Sequence, residues 1–414
     1  MNRVGYTIVL PTLHVLYLSL VVLGYLSTVG LIWIGRFRGL GGLVGEGFLL
    51  KCLHCGYEVQ SNTLLQSHCP RCSGVLEVEY SRPVFRVATG EKGLWRYLPL
   101  LPPIRSRISL GEGLTPLSRV GRVFIKNERY NPTGSYADRA SAIIASYARD
   151  LGVERVVAPY VRDFTRSLTY YLLSIGIDVG VAVDSIFSIE LDDIVFFSSK
   201  DVDVVGKADV RGLFIDYVNP LTIEGLKTIV FEVYEKKIDV EHIVVPAETG
   251  LLSISIQKGL RDLQLGGSEF NCEVVAAKVK GFDSPLLRGI HGIRIVEVLE
   301  DEVYEAYKKF VSRGFKTKPL AALSYYVAES LGSAVAVVTM GFASPSGGRS
   351  MVKRFVMDVL SRKSRLTAYE IWREKPIYTL RAVYKAVKDM EARGELCFDI
   401  AARGKRKIKL YRLC

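Results

Sequence analysis

The sequence predicts an α/β protein with parallel sheets covered by helices on both faces, preceded by a cysteine-stapled module and followed by a basic module of three helices and a hairpin. Three observations carry this. Strand-like and helix-like runs alternate between Val123 and Val279, two Cys-x-x-Cys pairs stand at 52/55 and 69/72, and positive charge collects near the C-terminal end. The chain has 414 residues, room for two or three domains with cores of their own, and 49% of them are apolar, as in globular proteins. It carries only ten Asn and Gln; that scarcity of thermolabile amides fits a thermophilic source.

Residues 1–43 form an apolar N-terminal segment. Tyr6 to Ile34 holds no Asp, Glu, Lys or Arg over 29 residues, enough to cross a bilayer with some tilt. Arg36 and Arg38 follow it, which places the body on the cytoplasmic side if the segment spans. No small-x-small cleavage site follows a short apolar core, which argues against a secretory signal. Two readings stand: a single-pass membrane anchor with a cytoplasmic body, or a start assigned too far upstream of a cytoplasmic protein, with Val44 as an alternative start. A membrane is a partner only under the first.

Residues 49–80 are expected to form a zinc ribbon. Cys52 and Cys55 make one knuckle and Cys69 and Cys72 the other, 13 residues apart. Two thiolates from one tight turn can reach one ion, and Gly56 and Gly74 can supply the positive φ that such turns need. Four sulfurs complete tetrahedral zinc, so the ion is structural and holds together a segment too short to bury a core. Cys272, Cys397 and Cys414 are scattered, so cysteine usage is that of a metal site and not of a secreted disulfide framework. His54 and His68 are surplus to the ligand set.

Residues 81–343 form the body. Ser109-Leu110-Gly111-Glu112-Gly113-Leu114-Thr115-Pro116-Leu117 leads to a strand at Val123–Glu128, then to the turn Asn131-Pro132-Thr133-Gly134 and to Ser135-Tyr136-Ala137-Asp138-Arg139. A helix is expected from Asp138 to Asp150, ending at Gly152. Alternating strands and helices follow at Arg155–Pro159, Leu168–Gly176, Val179–Val183, Ile223–Lys236, Ile243–Pro246, Leu252–Leu265 and Val274–Val279.

These motifs resemble threonine synthase and, more broadly, the fold-type-II pyridoxal phosphate (PLP) enzymes that include the tryptophan synthase β-chain and cysteine synthase. The family pattern runs S-L-G-E-G-x-T-P-L, then K-x-E-x-x-N-P-T-G-S-F-K-D-R, then E-G-x-K-T-x-x-x-E, matched here by Glu224-Gly225-Leu226-Lys227-Thr228 to Glu232. The resemblance implies two parallel-sheet α/β subdomains with a cleft between them, where a small metabolite could bind.

The departures fall where the chemistry would be. The resemblance implies a Schiff-base lysine at position 137, and Ala137 has only a methyl group. It implies an Asn against the cofactor ring near Tyr160–Phe164, where Arg162 and Asp163 stand. It implies a glycine-rich phosphate loop after Val244-Val245-Pro246, where the chain reads Ala247-Glu248-Thr249-Gly250-Leu251. Glu248 would repel a phosphate, leaving Asp163, Glu248, Thr249 and Gly250 as a degenerate cofactor site. Lys126 and Lys227 match lysines of the pattern other than the Schiff-base residue. No catalytic residue is therefore assigned and PLP is not expected.

Residues 350–414 carry the charge. From Arg349 to Cys414 there are 18 Lys and Arg against 7 Asp and Glu, a net +11, against +12 for the whole chain. Gly341–Gly348 reads as a linker. Met351–Arg362 has helical periodicity, and Thr367 with Glu370 forms a capping box for a second short helix, broken at Lys375-Pro376. A third helix starts at Thr379, with Leu380, Val383, Tyr384, Val387 and Met390 on its inner face, and stops at Gly394. Leu396–Ile400 and Ile408–Leu413 read as strands.

Three helices and a basic hairpin resemble a winged helix-turn-helix. That resemblance implies double-stranded DNA as partner, with Arg381, Lys385 and Lys388 on the recognition helix and Arg403, Lys405, Arg406 and Lys407 on the wing. A symmetric homodimer would set two such helices on half-sites about one DNA turn apart. The functional expectation is a catalytically degenerate threonine synthase-like regulator that binds DNA; the alternative is a diverged PLP-dependent lyase of the threonine synthase type.

Overall fold

A computed structural model describes residues 48–81, 83–206, 211–315, 317–340, 351–363, 365–374, 378–392, 396–403 and 406–413. The expectations for the N-terminal segment, the 341–348 linker, the break at 375–376, the stop at Gly394 and Cys414 lie outside them. Among the described residues no helix is long and apolar enough to cross a membrane.

The cysteine module is a three-stranded antiparallel sheet. Strands β1 (Phe48–Cys52), β2 (Glu58–Ser61) and β3 (Leu76–Val78) lie in the order β2-β1-β3. In the first knuckle Gly56 takes φ +67° and donates its N–H to the Cys52 carbonyl at 2.9 Å. The second knuckle differs from the sequence expectation. There Ser73 takes the left-handed conformation, φ +58°, and donates to the Cys69 carbonyl. Gly74 is required by close approach instead, because a Cβ there would lie 2.6 Å from His54 Nδ1 and 3.0 Å from Cys52 Sγ.

The body contains two parallel sheets. After β4 (Leu117–Val120) and β5 (Val123–Asn127) come helix α1 (Asp138–Asp150), β6 (Arg155–Pro159), α2 (Arg162–Ser174), β7 (Asp178–Val183), α3 (Leu191–Ser199), β8 (Asp203–Gly206) and β9 (Leu213–Phe214). The chain continues through α4 (Pro220–Leu226), α5 (Thr228–Glu235), β10 (His242–Pro246), α6 (Leu251–Leu265), β11 (Glu273–Val279), β12 (Ile293–Val298), α7 (Glu300–Ser312), α8 (Pro319–Leu331) and β13 (Ala334–Val338). Strands β8-β7-β6-β9 form a four-stranded parallel sheet. Strands β12-β11-β10-β13-β5-β4 form a six-stranded one, parallel except for β4. The expected run Ile223–Lys236 is two helices meeting at Lys227.

Burial on both faces explains why the central strands read as unbroken apolar runs. Along β13, Val335 and Val337 join the larger core, while Ala334, Ala336 and Val338 face a second one with Phe310 and Tyr325 from α7 and α8. The larger core is continuous with Leu50, Leu76 and Val78 of the cysteine module. That module is also tied to the body by charge: Glu77 pairs with Arg261, and the Tyr80 hydroxyl donates to Glu224.

The C-terminal module consists of α9 (Met351–Arg362), α10 (Ala368–Glu374), α11 (Leu380–Ala392), β14 (Leu396–Arg403) and β15 (Arg406–Leu413). The two strands pair antiparallel over their whole length, and Leu366 bridges Tyr411 as a third short edge. The expected capping box is present: Glu370 N–H donates to Thr367 Oγ1 at 3.1 Å and Thr367 N–H to Glu370 Oε2 at 2.9 Å. Val356, Leu360, Ile371, Val383, Val387, Met390, Leu396 and Tyr411 form a separate core. Tyr384, expected inside, is 46% exposed.

Candidate functional site

The segment carrying the strongest resemblance is held by its own polar side chains. Gly134, at φ +83°, closes the turn by donating to the Asn131 carbonyl at 2.9 Å. Asn131 Oδ1 accepts from Gly113 N–H, and its Nδ2 donates to Glu128. Asp138 accepts the Thr133 N–H at 2.6 Å and the Ser167 hydroxyl at 2.6 Å. Burial raises the Asp138 carboxyl to about 7, against those hydrogen bonds. Ala137, between these groups, is at the N-cap of α1 and 1% exposed; its methyl group belongs to the larger apolar core.

Arg139 lies in a closed buried charge cluster. Its Nε meets Glu128 Oε2 at 2.7 Å, and its Nη1 and Nη2 fork onto Glu232 at 2.6 and 2.9 Å. Lys126 Nζ donates to the Thr115 carbonyl at 2.7 Å and also contacts Glu232. Burial lowers the Lys126 pKa against the attraction of Glu232 and Glu128. Lys227 is fully buried between Glu224 and Asp262, 2.5 and 2.6 Å away. Burial opposes its charge, but the two carboxylates win and raise its pKa. Both lysines are consumed by ion pairing, and neither is a free amine.

Next to Ala137, the Tyr136 hydroxyl shares a hydrogen bond with the Tyr217 hydroxyl at 3.0 Å, and Phe164 packs on Tyr217 with ring centroids 5.0 Å apart. Burial raises both phenols above the ordinary range. Asp163, in the first turn of α2, pairs with Lys318 at 3.2 Å, and burial raises its carboxyl. Arg162 pairs with Glu190, so Arg162 and Asp163 look to different partners.

At the loop before α6, Glu248 is exposed and Gly250 takes φ +97° at the N-cap. Leu287 stands directly on Gly250, where a Cβ would lie 2.5 Å from Leu287 Cγ. The loop is closed further by Leu286 N–H donating to the Thr249 carbonyl and Ser284 Oγ to the Ala247 carbonyl. Thus no amine stands at 137, an exposed carboxylate lies in the loop, and an apolar side chain stands on the Cβ side of its glycine.

The four knuckle sulfurs lie within 4.8 Å of one another. Neighbouring pairs are 3.5 Å (Cys52–Cys72), 3.8 Å (Cys55–Cys69) and 3.4 Å (Cys72–Cys55) apart. A tetrahedron with metal–sulfur bonds of about 2.3 Å has edges of about 3.8 Å, so the cluster could hold zinc. His54 N–H and Arg71 N–H each point at a sulfur, 3.4 Å from Cys52 Sγ and Cys69 Sγ, as suits thiolates.

On α11, Arg381, Lys385 and Lys388 are exposed on one face with Tyr384. None of the three cations is in a salt bridge among the described residues. Of the expected wing residues, Lys405 and the side chains of Arg403, Arg406 and Lys407 lie outside the described residues. Two features escaped the sequence reading, Leu287 on Gly250 and Lys318 on Asp163. Both join positions far apart in the chain, which no local pattern reveals.

Residues 108–290 match the family model described as pyridoxal-phosphate dependent enzyme. A threonine synthase of Methanosarcina acetivorans is 27% identical over 249 residues, covering 53% of this chain and 61% of that protein. One from Methanocaldococcus jannaschii is 29% identical over 254 residues, covering 53% and 62%. The chain thus spans about three-fifths of the length of these curated relatives. A serine racemase structure from Dictyostelium discoideum superposes with TM-score 0.46 at 16% identity, covering 56% of this chain and 93% of that one.

Proposed function

We propose that this chain is a catalytically degenerate, threonine synthase-like protein that acts as a DNA-binding regulator, its body sensing a ligand or forming a homodimer and its C-terminal module acting as a winged helix. The observation that carries the proposal is the α11 face. Arg381, Lys385 and Lys388 project from one helix, exposed and free of salt bridges among the described residues, in a module holding nearly all of the chain's net charge. The loss of chemistry rests on Ala137, on Glu248 and on Leu287 packed against Gly250. In this reading α11 enters the major groove, the basic residues of the 403–407 segment meet phosphates, and the cysteine module carries structural zinc.

The test is fluorescence anisotropy of the full chain with a labelled random-sequence duplex across a salt series. The expected result is binding that weakens steeply with salt. Replacing Arg381, Lys385 and Lys388 together by Ala should flatten the slope of log affinity against log salt by roughly 2.7. Absence of salt-dependent binding overturns the regulator.

A second reading, a diverged PLP-dependent lyase of the threonine synthase type, is favoured by the names of the relatives. It requires an imine absorbance near ~410–420 nm, bleached by borohydride, when the chain is mixed with PLP. A spectrum without that band removes this reading and leaves the regulator untouched.

A further inference from the structure

Beside the four-stranded sheet lies an apolar surface that the described residues leave uncovered. Between β7 and α3 the chain makes the 3-10 turn Ile186–Ser188, and Phe187 at its centre is 95% exposed. Ile186 beside it is 52% exposed, and on α3 Leu191 and Val195 are 75% and 59% exposed. The turn is fixed by its own hydrogen bonds. Ser185 Oγ accepts the Phe187 N–H at 3.3 Å, and the Ser185 carbonyl accepts the Ser188 N–H at 3.0 Å. The backbone that presents Phe187 is therefore ordered before any contact forms, which lowers the entropy cost of binding.

Area is the first clue to what covers this surface. The four side chains together expose roughly 450 Å² of apolar surface, as much as the largest patch of a typical monomer, and such patches mark contact sites. A standard interface buries about 800 Å² per partner, of which about 56–58% is apolar, again roughly 450 Å².

The second clue is self-complementarity along α3. Its exposed positions Leu191, Val195 and Ser199 follow at a spacing of four, so they form one stripe that runs from a large side chain to a small one. A second α3 laid antiparallel sets each Leu191 over the small Ser199 of the partner subunit, with Val195 on the two-fold axis. The Ser199 hydroxyl already donates to the Phe196 carbonyl at 2.8 Å, so covering it strands no polar group. Charge follows the same order. Asp192, exposed and in no salt bridge among the described residues, stands at the N-terminal end, and Lys200 caps the C-terminal end. Antiparallel packing brings each Asp192 towards Lys200 of the partner subunit and lays the two helix dipoles head to tail.

We infer that α3 and the 186–188 turn form a symmetric interface with a second copy of this chain. This deepens the homodimer part of the reading above by giving it a surface, and it uses no residue of the C-terminal module.

The test is sedimentation velocity of the full chain over a series of micromolar concentrations. The expected result is a reversible monomer–dimer equilibrium, with the double variant F187E/L191E raising the dimer Kd by about 100-fold or more. Both positions face solvent in the single chain, so the far-UV circular dichroism of that variant should match the parent's. L265E, at an exposed apolar position on α6, should leave the equilibrium unchanged. K200E should weaken the dimer, and D192K/K200E should recover most of the loss. A parent that is monomeric throughout leaves the patch to an unlike protein and overturns the assignment, as does a dimer that F187E/L191E leaves intact. A double charge swap no better than K200E alone overturns the antiparallel two-fold. Duplex binding measured on the same samples reports separately, since a dimer that binds no duplex overturns the regulator and not the interface.

Discussion

Leu287 sits on Gly250 so closely that the loop before α6 has no room for a single added methyl group on that side, the distance to an added Cβ being 2.5 Å. Replacing Gly250 by Ala therefore combines a positive-φ penalty with overpacking and should cost roughly 2–4 kcal/mol. Leu287→Ala in the same chain removes the clash but not the backbone penalty, so the pair should be non-additive by about 1 kcal/mol or more. Urea unfolding of the two single variants and the double variant measures this. Strict additivity would show that the two residues do not meet.

Arg139 and Glu232 make the stability of the body depend on pH. The Glu232 carboxyl, although burial works against it, is held down to about 2 by Arg139 and Lys126, against an ordinary 4.5. A carboxylate depressed by folding contributes its stabilisation above its unfolded value and loses it as pH falls through its folded one. The contribution should thus be whole above pH 4.5 and vanish towards pH 2. Glu232→Gln leaves Glu128 alone to balance Arg139 and Lys126, one buried positive charge in excess, and should cost about 3–5 kcal/mol at pH 7. The gap to the parent should narrow below pH 4.5, as read from denaturant midpoints at pH 7 and 3. A gap constant with pH would remove the charge explanation.

Zinc bound by Cys52, Cys55, Cys69 and Cys72 should appear as about one ion per chain by atomic emission. Cys69→Ser should lose the ion and lower the Tm, because the module shares its core with the body through Leu50, Leu76 and Val78. Metal-replete protein that holds no zinc would dismiss the site.

Restoring the lysine alone should not restore cofactor chemistry. Ala137 is packed in an apolar core, so Ala137→Lys forces an amine into a filled site and should cost about 1–3 kcal/mol. With Glu248 and Leu287 unchanged, no imine band should develop on adding PLP. A band in A137K would mean that the cleft still accepts the cofactor, leaving position 137 as its main defect.

Much of this architecture could be read from the sequence because its signals are local. The alternation from β5 to β11 is visible as apolar runs, since strands buried on both faces need no polar positions. Thr367 and Glu370 are three residues apart and announce their helix start unaided. Tyr384 misled because helical spacing places it beside Val383 and Val387, while the burial boundary on α11 runs between them. Ser73 took the left-handed position expected of a glycine, because Gly74 was needed beside His54. A cavity lined by Arg96 was invisible for a different reason. It joins the 3-10 turn Gly93–Leu100, the loop before β4 and the end of α5, which only the folded chain brings together.

The polar partners of the Asn131–Arg139 segment bear on how such a chain can change over generations. Asn131, Thr133, Asp138 and Arg139 each hold another part of the protein, so a substitution at any of them costs the fold hydrogen bonds it uses. The side chain at 137 has no polar partner within the chain, and once no ligand depends on it an alanine is free to settle there. A motif-based search will therefore recognise such a chain whatever stands at 137, since the letters it reads are tied down by folding and the letter at 137 is not.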